Sequence, residues 1–122
     1  MPQLIPAPTR VEAAGNKPIL IDEYFGLINS QDGRISIARI QCPPGWIEPA
    51  QTPAFDEYTV VLAGRLRVRS QEGDVDVRAG QAILTPKGER VQYSTPAEEG
   101  ADYIAICLPA YSLEQARRDS GS

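Results

Sequence analysis

The side chains available for chemistry are limited, because the 122 residues of this chain include no histidine. The two cysteines, Cys42 and Cys107, lie far apart and form no C-x-x-C motif, so neither a redox dithiol nor a zinc knuckle is indicated. Both thiols are expected to be reduced and partly buried. A nucleophilic Cys107 is the alternative, but a thiolate needs a base and no imidazole is present. Acid–base chemistry would therefore fall to carboxylates.

Two glycine-anchored segments share a characteristic spacing. The first reads GWIEPAQTP from Gly45 and is followed by Glu57 and Gly64, and the second reads GQAILTPKGERV over residues 80–91. Together they resemble the two motifs of the cupin superfamily, and the resemblance covers about residues 18–110. It implies an all-β fold, a double-stranded β-helix or jelly-roll barrel.

The resemblance also shows which ligands have been replaced. At the three positions where cupins carry metal-binding histidines, this chain has Gln51, Pro53 and Val91, and only the ligand glutamate, Glu57, is retained. One carboxylate with a neutral amide is a poor site for a transition metal. We therefore predict no metal and no cofactor. Convergence of Glu57, Gln51 and Cys107 on a metal is the alternative.

Glu57 is the predicted catalytic residue. If the inherited strand geometry holds, the resemblance implies that Glu57 and Gln51 point into the barrel. A carboxylate buried there without a metal has a raised pKa and can act as a general base near neutral pH. Gln51 and Tyr93, or Tyr103, would donate hydrogen bonds to the developing oxyanion. The alternative is a structural Glu57, bonded to the backbone or to an arginine such as Arg39.

The remaining candidates are side chains that the same geometry would place against a small-molecule ligand. They are Arg39, Gln41, Tyr103, Cys107 and Val91.

Two classes of function follow from this pocket. The first is a metal-independent enzyme that transfers a proton on a small organic molecule, of the lyase or isomerase type. The second is a non-catalytic small-molecule-binding cupin, either a sensor or an accessory protein. Among histidine-poor cupins the chain looks most like the ethanolamine-utilisation type, through Asp56-Glu57, the Val61-Leu62-Ala63-Gly64 turn, Pro86-Lys87-Gly88 and Ser94-Thr95-Pro96. The resemblance also implies a homodimer, and the surplus apolar surface available for it is assigned to Trp46, Pro49 and the segment 19–25.

Charge and apolar content limit which partners and which cellular location are expected. The formal charge is −4 and the pI is about 4.8, without a basic stripe, so nucleic acid is not an expected partner. No apolar run approaches the length of a membrane span, and the proline-rich N-terminus lacks the features of a signal peptide. We therefore expect a cytoplasmic protein that does not contact a membrane.

The elements that must position these residues are short strands separated by glycine and proline. Asp32-Gly33 predicts a hairpin turn between strands 24–29 and 34–41, and Gly73-Asp74 predicts a second one between strands 65–70 and 75–77.

A helix is predicted only at 112–118, where Ser112 provides the N-cap and Arg117 and Arg118 suit the helix dipole. The predicted organisation is an N-terminal arm over residues 1–17, a cupin barrel over 18–110, and a C-terminal helix and tail over 111–122.

Overall fold

The computed structural model describes residues 1–119, and these residues form eight antiparallel strands and one short helix. The elements are β1 (Thr9–Val11), β2 (Leu20–Phe25), β3 (Ser36–Cys42), β4 (Asp56–Ser70), β5 (Gly73–Arg78), β6 (Ala82–Thr85), β7 (Val91–Ser94), β8 (Ala101–Leu108) and α1 (Leu113–Ala116). The prediction of an all-β fold with a short C-terminal helix is confirmed.

Two sheets share the long strand β4. Its first half pairs with β8 and β6, and the order β1-β2-β3-β8-β4 extends this larger sheet. Its second half pairs with β5 and β7 to form the smaller sheet. The pairing within residues 1–119 does not close these strands into a complete barrel, so the site lies between two sheets that face each other.

β4 passes from one sheet to the other at Gly64, so the predicted turn over residues 61–64 is a bend within a strand. The register shifts between Val61 and Ala63, and Gly64 has φ of 76°. A Cβ atom on Gly64 would lie 2.0 Å from the carbonyl oxygen of Gly100. Glycine is needed here both for its backbone conformation and for this close approach.

Replacing Gly64 with alanine is expected to destabilise the fold by about 3 kcal/mol, since the left-handed backbone and the clash with Gly100 add. Gly80 provides a matched control, because it has φ of 85° but a Cβ would meet no atom within 4 Å. Gly80→Ala should cost only the conformational strain of about 1 kcal/mol. Urea unfolding measures both changes, and equal losses would contradict this role of Gly64.

The main core lies between the sheets and is built from inward-facing residues of β3, β4, β7 and β8 around Trp46. Trp46 is only 1% exposed, so the interpretation that it supplies surface for a dimer is wrong. Homodimerisation itself stays a prediction. A second cluster of Phe55, Cys107 and Ala116, with Tyr111 packed against it, fastens the C-terminal segment to the sheet.

Both predicted hairpins exist, but their turns differ from the prediction. β2 and β3 pair as expected, yet residues 26–35 connect them, and Asp32-Gly33 lies within this longer loop. β4 and β5 pair from Ser70 with Gly73, so Gln71 and Glu72 form the turn. Asp32-Gly33 therefore lies in the connection it predicted, whereas Gly73-Asp74 begins β5 and is paired with β4.

The C-terminal helix is shorter than predicted. The Ser112 hydroxyl accepts a hydrogen bond from the amide of Gln115, which confirms the N-cap. Arg117 ends the helix with φ of 51°, in the left-handed conformation. Arg118 therefore does not lie in the last helical turn. The last three residues of the predicted tail, 120–122, lie outside the described part of the chain.

Candidate functional site

A cavity of about 60 Å³ lies between the two sheets and contains most of the polar side chains buried in the fold. Apolar side chains from β2, β3 and β8 form one wall, and the C-terminal segment completes the lining. Its residues are Ile19, Ile21, Glu23, Ser36, Ala38, Ile40, Glu48, Gln51, Glu57, Tyr93, Tyr103, Ala105, Cys107, Tyr111 and Arg118. An apolar cavity with a few converging polar groups is typical of a small-molecule site.

Glu57 lies near the start of β4, where alternation turns its side chain inward. It pairs with Thr85 on one side and Cys107 on the other, and it is buried. Burial raises the pKa of the Glu57 carboxyl to about 7, although the positive charge of Arg118 and a hydrogen bond from the Cys107 thiol both lower it. The carboxyl is therefore about half ionised at neutral pH.

Glu48 is a second buried carboxyl that the sequence interpretation missed. Its backbone amide donates to the carbonyl of Tyr93, and this bond fixes its approach to the cavity. Burial raises the pKa of Glu48 to about 8, the charge of Arg118 lowers it, and the nearby Glu57 carboxylate raises it. One signal was available: Glu48 is the only charged residue between Pro43 and Phe55.

Arg118 supplies the positive charge in the cavity. Its backbone pairs with Gln51, and its Nη2 lies 3.8 Å from Oε2 of Glu48. Its guanidinium carbon lies 5.7 Å from the centre of the Tyr111 ring, a cation–π contact. The sequence interpretation placed Arg118 at a helix end. It reaches the cavity because the chain turns at Arg117 and the segment docks on residues 50–54.

Three polar atoms in the cavity lining are buried without a hydrogen-bond partner. They are Oε1 of Gln51, the hydroxyl of Tyr111 and Nε of Arg118. Such atoms carry a desolvation cost of about 1–3 kcal/mol each, and native proteins leave few of them. All three belong to the lining of this one cavity.

The structure brings five of the predicted site residues to this cavity: Gln51, Glu57, Tyr93, Tyr103 and Cys107. The Tyr93 hydroxyl is 2.7 Å from Oγ1 of Thr85, so it already has a partner. Burial raises the pKa values of Tyr93, Tyr103 and Cys107, which keeps the phenols and the thiol protonated. A nucleophilic Cys107 thiolate is therefore not supported.

Three predicted ligand contacts lie elsewhere and are corrected. Arg39 and Gln41 are on the outer face of β3, where Arg39 forms an ion pair with Asp102 at 2.6 Å. Ser36 and Ile40, of the opposite parity, face the cavity instead. Val91 is 2% exposed and belongs to the main core, where its backbone pairs with Gln51.

Removing the Tyr111 hydroxyl is expected to leave stability unchanged or to raise it by up to about 1 kcal/mol, because this buried group has no hydrogen-bond partner in the protein. Tyr93→Phe is the matched control. It should lower stability by about 1 kcal/mol, since it removes the bond to Thr85. Thermal unfolding of both variants tests the difference, and a larger loss for Tyr111→Phe would show that its hydroxyl has a structural partner.

The donor set does not fit the metal site of the fold class. Glu57 has no imidazole or thiolate beside it with which to complete a coordination sphere, because Pro53 and Val91 offer no donor atom and the Cys107 thiol stays protonated. Within residues 1–119, no group of three or more acidic or cysteine side chains is arranged to hold a metal ion.

The two sheets sharing β4, the bend at Gly64 and the cavity between the sheets define this chain as a cupin. The model of the family described as "Ethanolamine utilisation protein EutQ" matches residues 49–112, and the chain belongs to that family.

Solved structures support the fold. An ethanolamine utilization protein Q from Salmonella typhimurium LT2 has a TM-score of 0.70 and 20% identity, over 85% of this chain and 80% of that one. The polyketide cyclase RemF from Streptomyces resistomycificus also has a TM-score of 0.70, with 16% identity over 95% of this chain and 89% of that one. Likenesses at these identities show the fold alone.

A curated relative shares more sequence but is much longer. The endoribonuclease YbeY of Myxococcus xanthus strain DK1622 is 37% identical over 100 residues, which are 82% of this chain and 34% of that protein. This chain therefore spans about a third of its length. No helix within residues 1–119 is long and apolar enough to cross a membrane.

Proposed function

We propose that this cupin catalyses proton transfer on a small organic molecule held in the cavity, with Glu57 as the general base. The observation that carries this proposal is that two buried carboxyls, Glu57 and Glu48, face one cavity beside a single arginine. The third buried carboxyl of the lining, Glu23, already accepts hydrogen bonds from the backbone amides of Ile28 and Asn29. A base whose pKa is near 7 is ionised often enough to accept a proton and basic enough to remove one at neutral pH.

The two carboxyls suit complementary roles. At neutral pH Glu57 is partly ionised, and Glu48, whose pKa is about 8, is mostly protonated. Glu57 would take a proton from a carbon beside a carbonyl group. The electron pair of that C–H bond would form the C=C bond of an enolate, while the π pair of the carbonyl moves to its oxygen. The Glu48 carboxyl would then return a proton to a different atom of the enolate. Carboxyls with separated pKa values are a common basis for acid and base roles.

Hydrogen-bond donors are available for the developing oxyanion. The Tyr111 hydroxyl and Nε of Arg118 are buried and unpartnered, so binding an oxyanion breaks no existing bond. Preorganised donors of this kind stabilise negative charge effectively in a dry cavity. These two groups therefore fit the role assigned from the sequence to Tyr93, whose hydroxyl is engaged by Thr85. Gln51 remains a candidate for orienting the substrate.

A non-catalytic binding protein is the second candidate, and the size of the cavity favours it. A volume of about 60 Å³ admits only a small ligand, and the three unpartnered atoms alone give a reason for binding. The fold leaves both candidates open, because a cupin barrel hosts unrelated activities.

Deuterium exchange separates the two candidates. Hydroxyacetone, pyruvate and glyceraldehyde each place a carbon acid beside a carbonyl and are small enough for the cavity. In D2O the wild-type protein is expected to accelerate exchange at the carbon of at least one of them, followed by NMR. If a probe raises the melting temperature of the protein but its own hydrogens do not exchange, the result favours the binding protein over the enzyme. Neither exchange nor a shift with any probe would overturn the proposal.

A further inference from the structure

We infer that the cavity takes a short hydroxy acid, with its carboxylate at Arg118 and Tyr111 and its hydroxyl donating to Gln51. This inference rests on the proposed function for the location of the site and names its class of ligand. It is carried by the chemistry of the three unpartnered atoms, which are a cationic donor, a phenol and an amide oxygen.

Arg118 requires an acceptor, and the protein supplies none to its Nε. The closest carboxylate contact, from Nη2 to Glu48, spans 3.8 Å, which is too long for a hydrogen bond. The Arg118 side chain is 16% exposed, so it is largely withdrawn from bulk solvent. Glu48 is mostly protonated at neutral pH and Glu57 is only about half ionised, so these carboxyls compensate the guanidinium charge only in part. A ligand carboxylate would satisfy both the charge and the donor.

Tyr111 extends the same anion site. Its hydroxyl has no hydrogen-bond partner, and its ring packs edge-on against Phe55 with the centroids 5.8 Å apart. The ring is therefore held in place while its hydroxyl stays free to donate. Arg118 lies over this ring, so the two donors belong to one corner of the cavity.

Gln51 sets a different requirement, because its unpartnered atom is an acceptor. Oε1 needs a hydroxyl or an N–H group, and a simple carboxylate has neither at neutral pH. Gln51 is 3% exposed, and its backbone pairs with Val91 and Arg118, so its position is fixed. The ligand must therefore carry a donor group in addition to its anion.

The rest of the lining limits the size and polarity of the ligand. Ile21, Ala38, Ile40 and Ala105 form an apolar wall suited to a short carbon chain. A volume of about 60 Å³ corresponds to roughly four to six water-sized spheres. Lactate, with its six heavy atoms, is therefore a suitable probe for the class.

Calorimetry with three related probes tests the inference on the wild-type protein. Lactate has both features, propionate lacks the hydroxyl and lactamide lacks the charge. Lactate is expected to bind, and each of the other two should bind about tenfold more weakly, the loss that one unmet buried hydrogen bond produces. No detectable binding of lactate, or lactamide binding as tightly as lactate, would overturn the hydroxy-acid assignment.

Variants locate the anion. Arg118→Gln should weaken lactate binding at least tenfold, whereas Arg117→Gln removes the same charge from an exposed neighbour and should change it less than twofold. Equal losses in the two variants would show that general charge, and not the cavity, attracts the ligand. Lactate binding by the wild-type protein, without exchange of any carbonyl probe, would remove only the catalytic proposal.

Discussion

Replacing Glu57 with glutamine is expected to lower the rate of catalysed deuterium exchange by about 10²–10⁴-fold, the usual contribution of a general base. The amide nearly preserves the shape of the side chain and removes the group that accepts the proton. Glu57 is held between β6 and β8, where it pairs with Thr85 and Cys107. Glu89→Gln, at an exposed turn position, is the control and should retain wild-type exchange.

The pH profile provides an independent check on the same residue. Since the ionised form of Glu57 is the base, the exchange rate should rise with pH and level off above about 7. At pH 5 it should be lower than the plateau by about a hundredfold, as the ionised fraction of such a group falls tenfold per pH unit. Arg118→Gln should move the rise to higher pH, because the arginine charge lowers the pKa of Glu57. A profile flat from pH 5 to pH 8 would assign the base to another group.

The fold and half of the site could be predicted because they depend on local pattern. Glycine at position 64 marks a real backbone requirement, and the alternation of β4 and β8 correctly turned Glu57 and Cys107 inward. The parity of β3 was harder to assign from the sequence. Either the face of Arg39 or the face of Ile40 could have pointed inward, and only the pairing of Ile40 with Tyr103 decides between them.

The sequence did not predict Arg118 or Glu48 as site residues, because long-range packing determines their positions. Arg118 enters the cavity because Ala116 and Tyr111 pack on Phe55 and Cys107, which are distant in sequence. No local pattern at a short helix encodes that docking. Glu48 follows an isolated β-bridge and lies outside any regular strand. The alternation of strand side chains therefore could not predict which way its side chain points. The site combines a retained barrel glutamate with a charge delivered by the C-terminal segment.

This combination also predicts how the stability of the protein depends on pH. In the unfolded chain the carboxyls ionise near their ordinary pKa of 4.5, whereas in the folded protein Glu57 stays protonated up to about 7 and Glu48 up to about 8. Between these values the folded state binds more protons than the unfolded state. The contribution of these two carboxyls to the free energy of unfolding should therefore be greatest below about pH 4.5. It should fall as the pH rises to about 8.

Glu57→Gln should remove the part of this stability loss that comes from Glu57. For a pKa raised from 4.5 to about 7, that part is about 3 kcal/mol between pH 4.5 and pH 7. The difference in melting temperature between the variant and wild type should therefore grow by roughly 10 °C in favour of the variant from pH 5 to pH 8. Glu48→Gln should act in the same direction, and Glu89→Gln should follow the wild-type curve. Calorimetric melting at several pH values provides the test. A constant difference between Glu57→Gln and wild type would mean that Glu57 is already ionised in the folded protein, which would remove the physical reason for a base poised near neutrality.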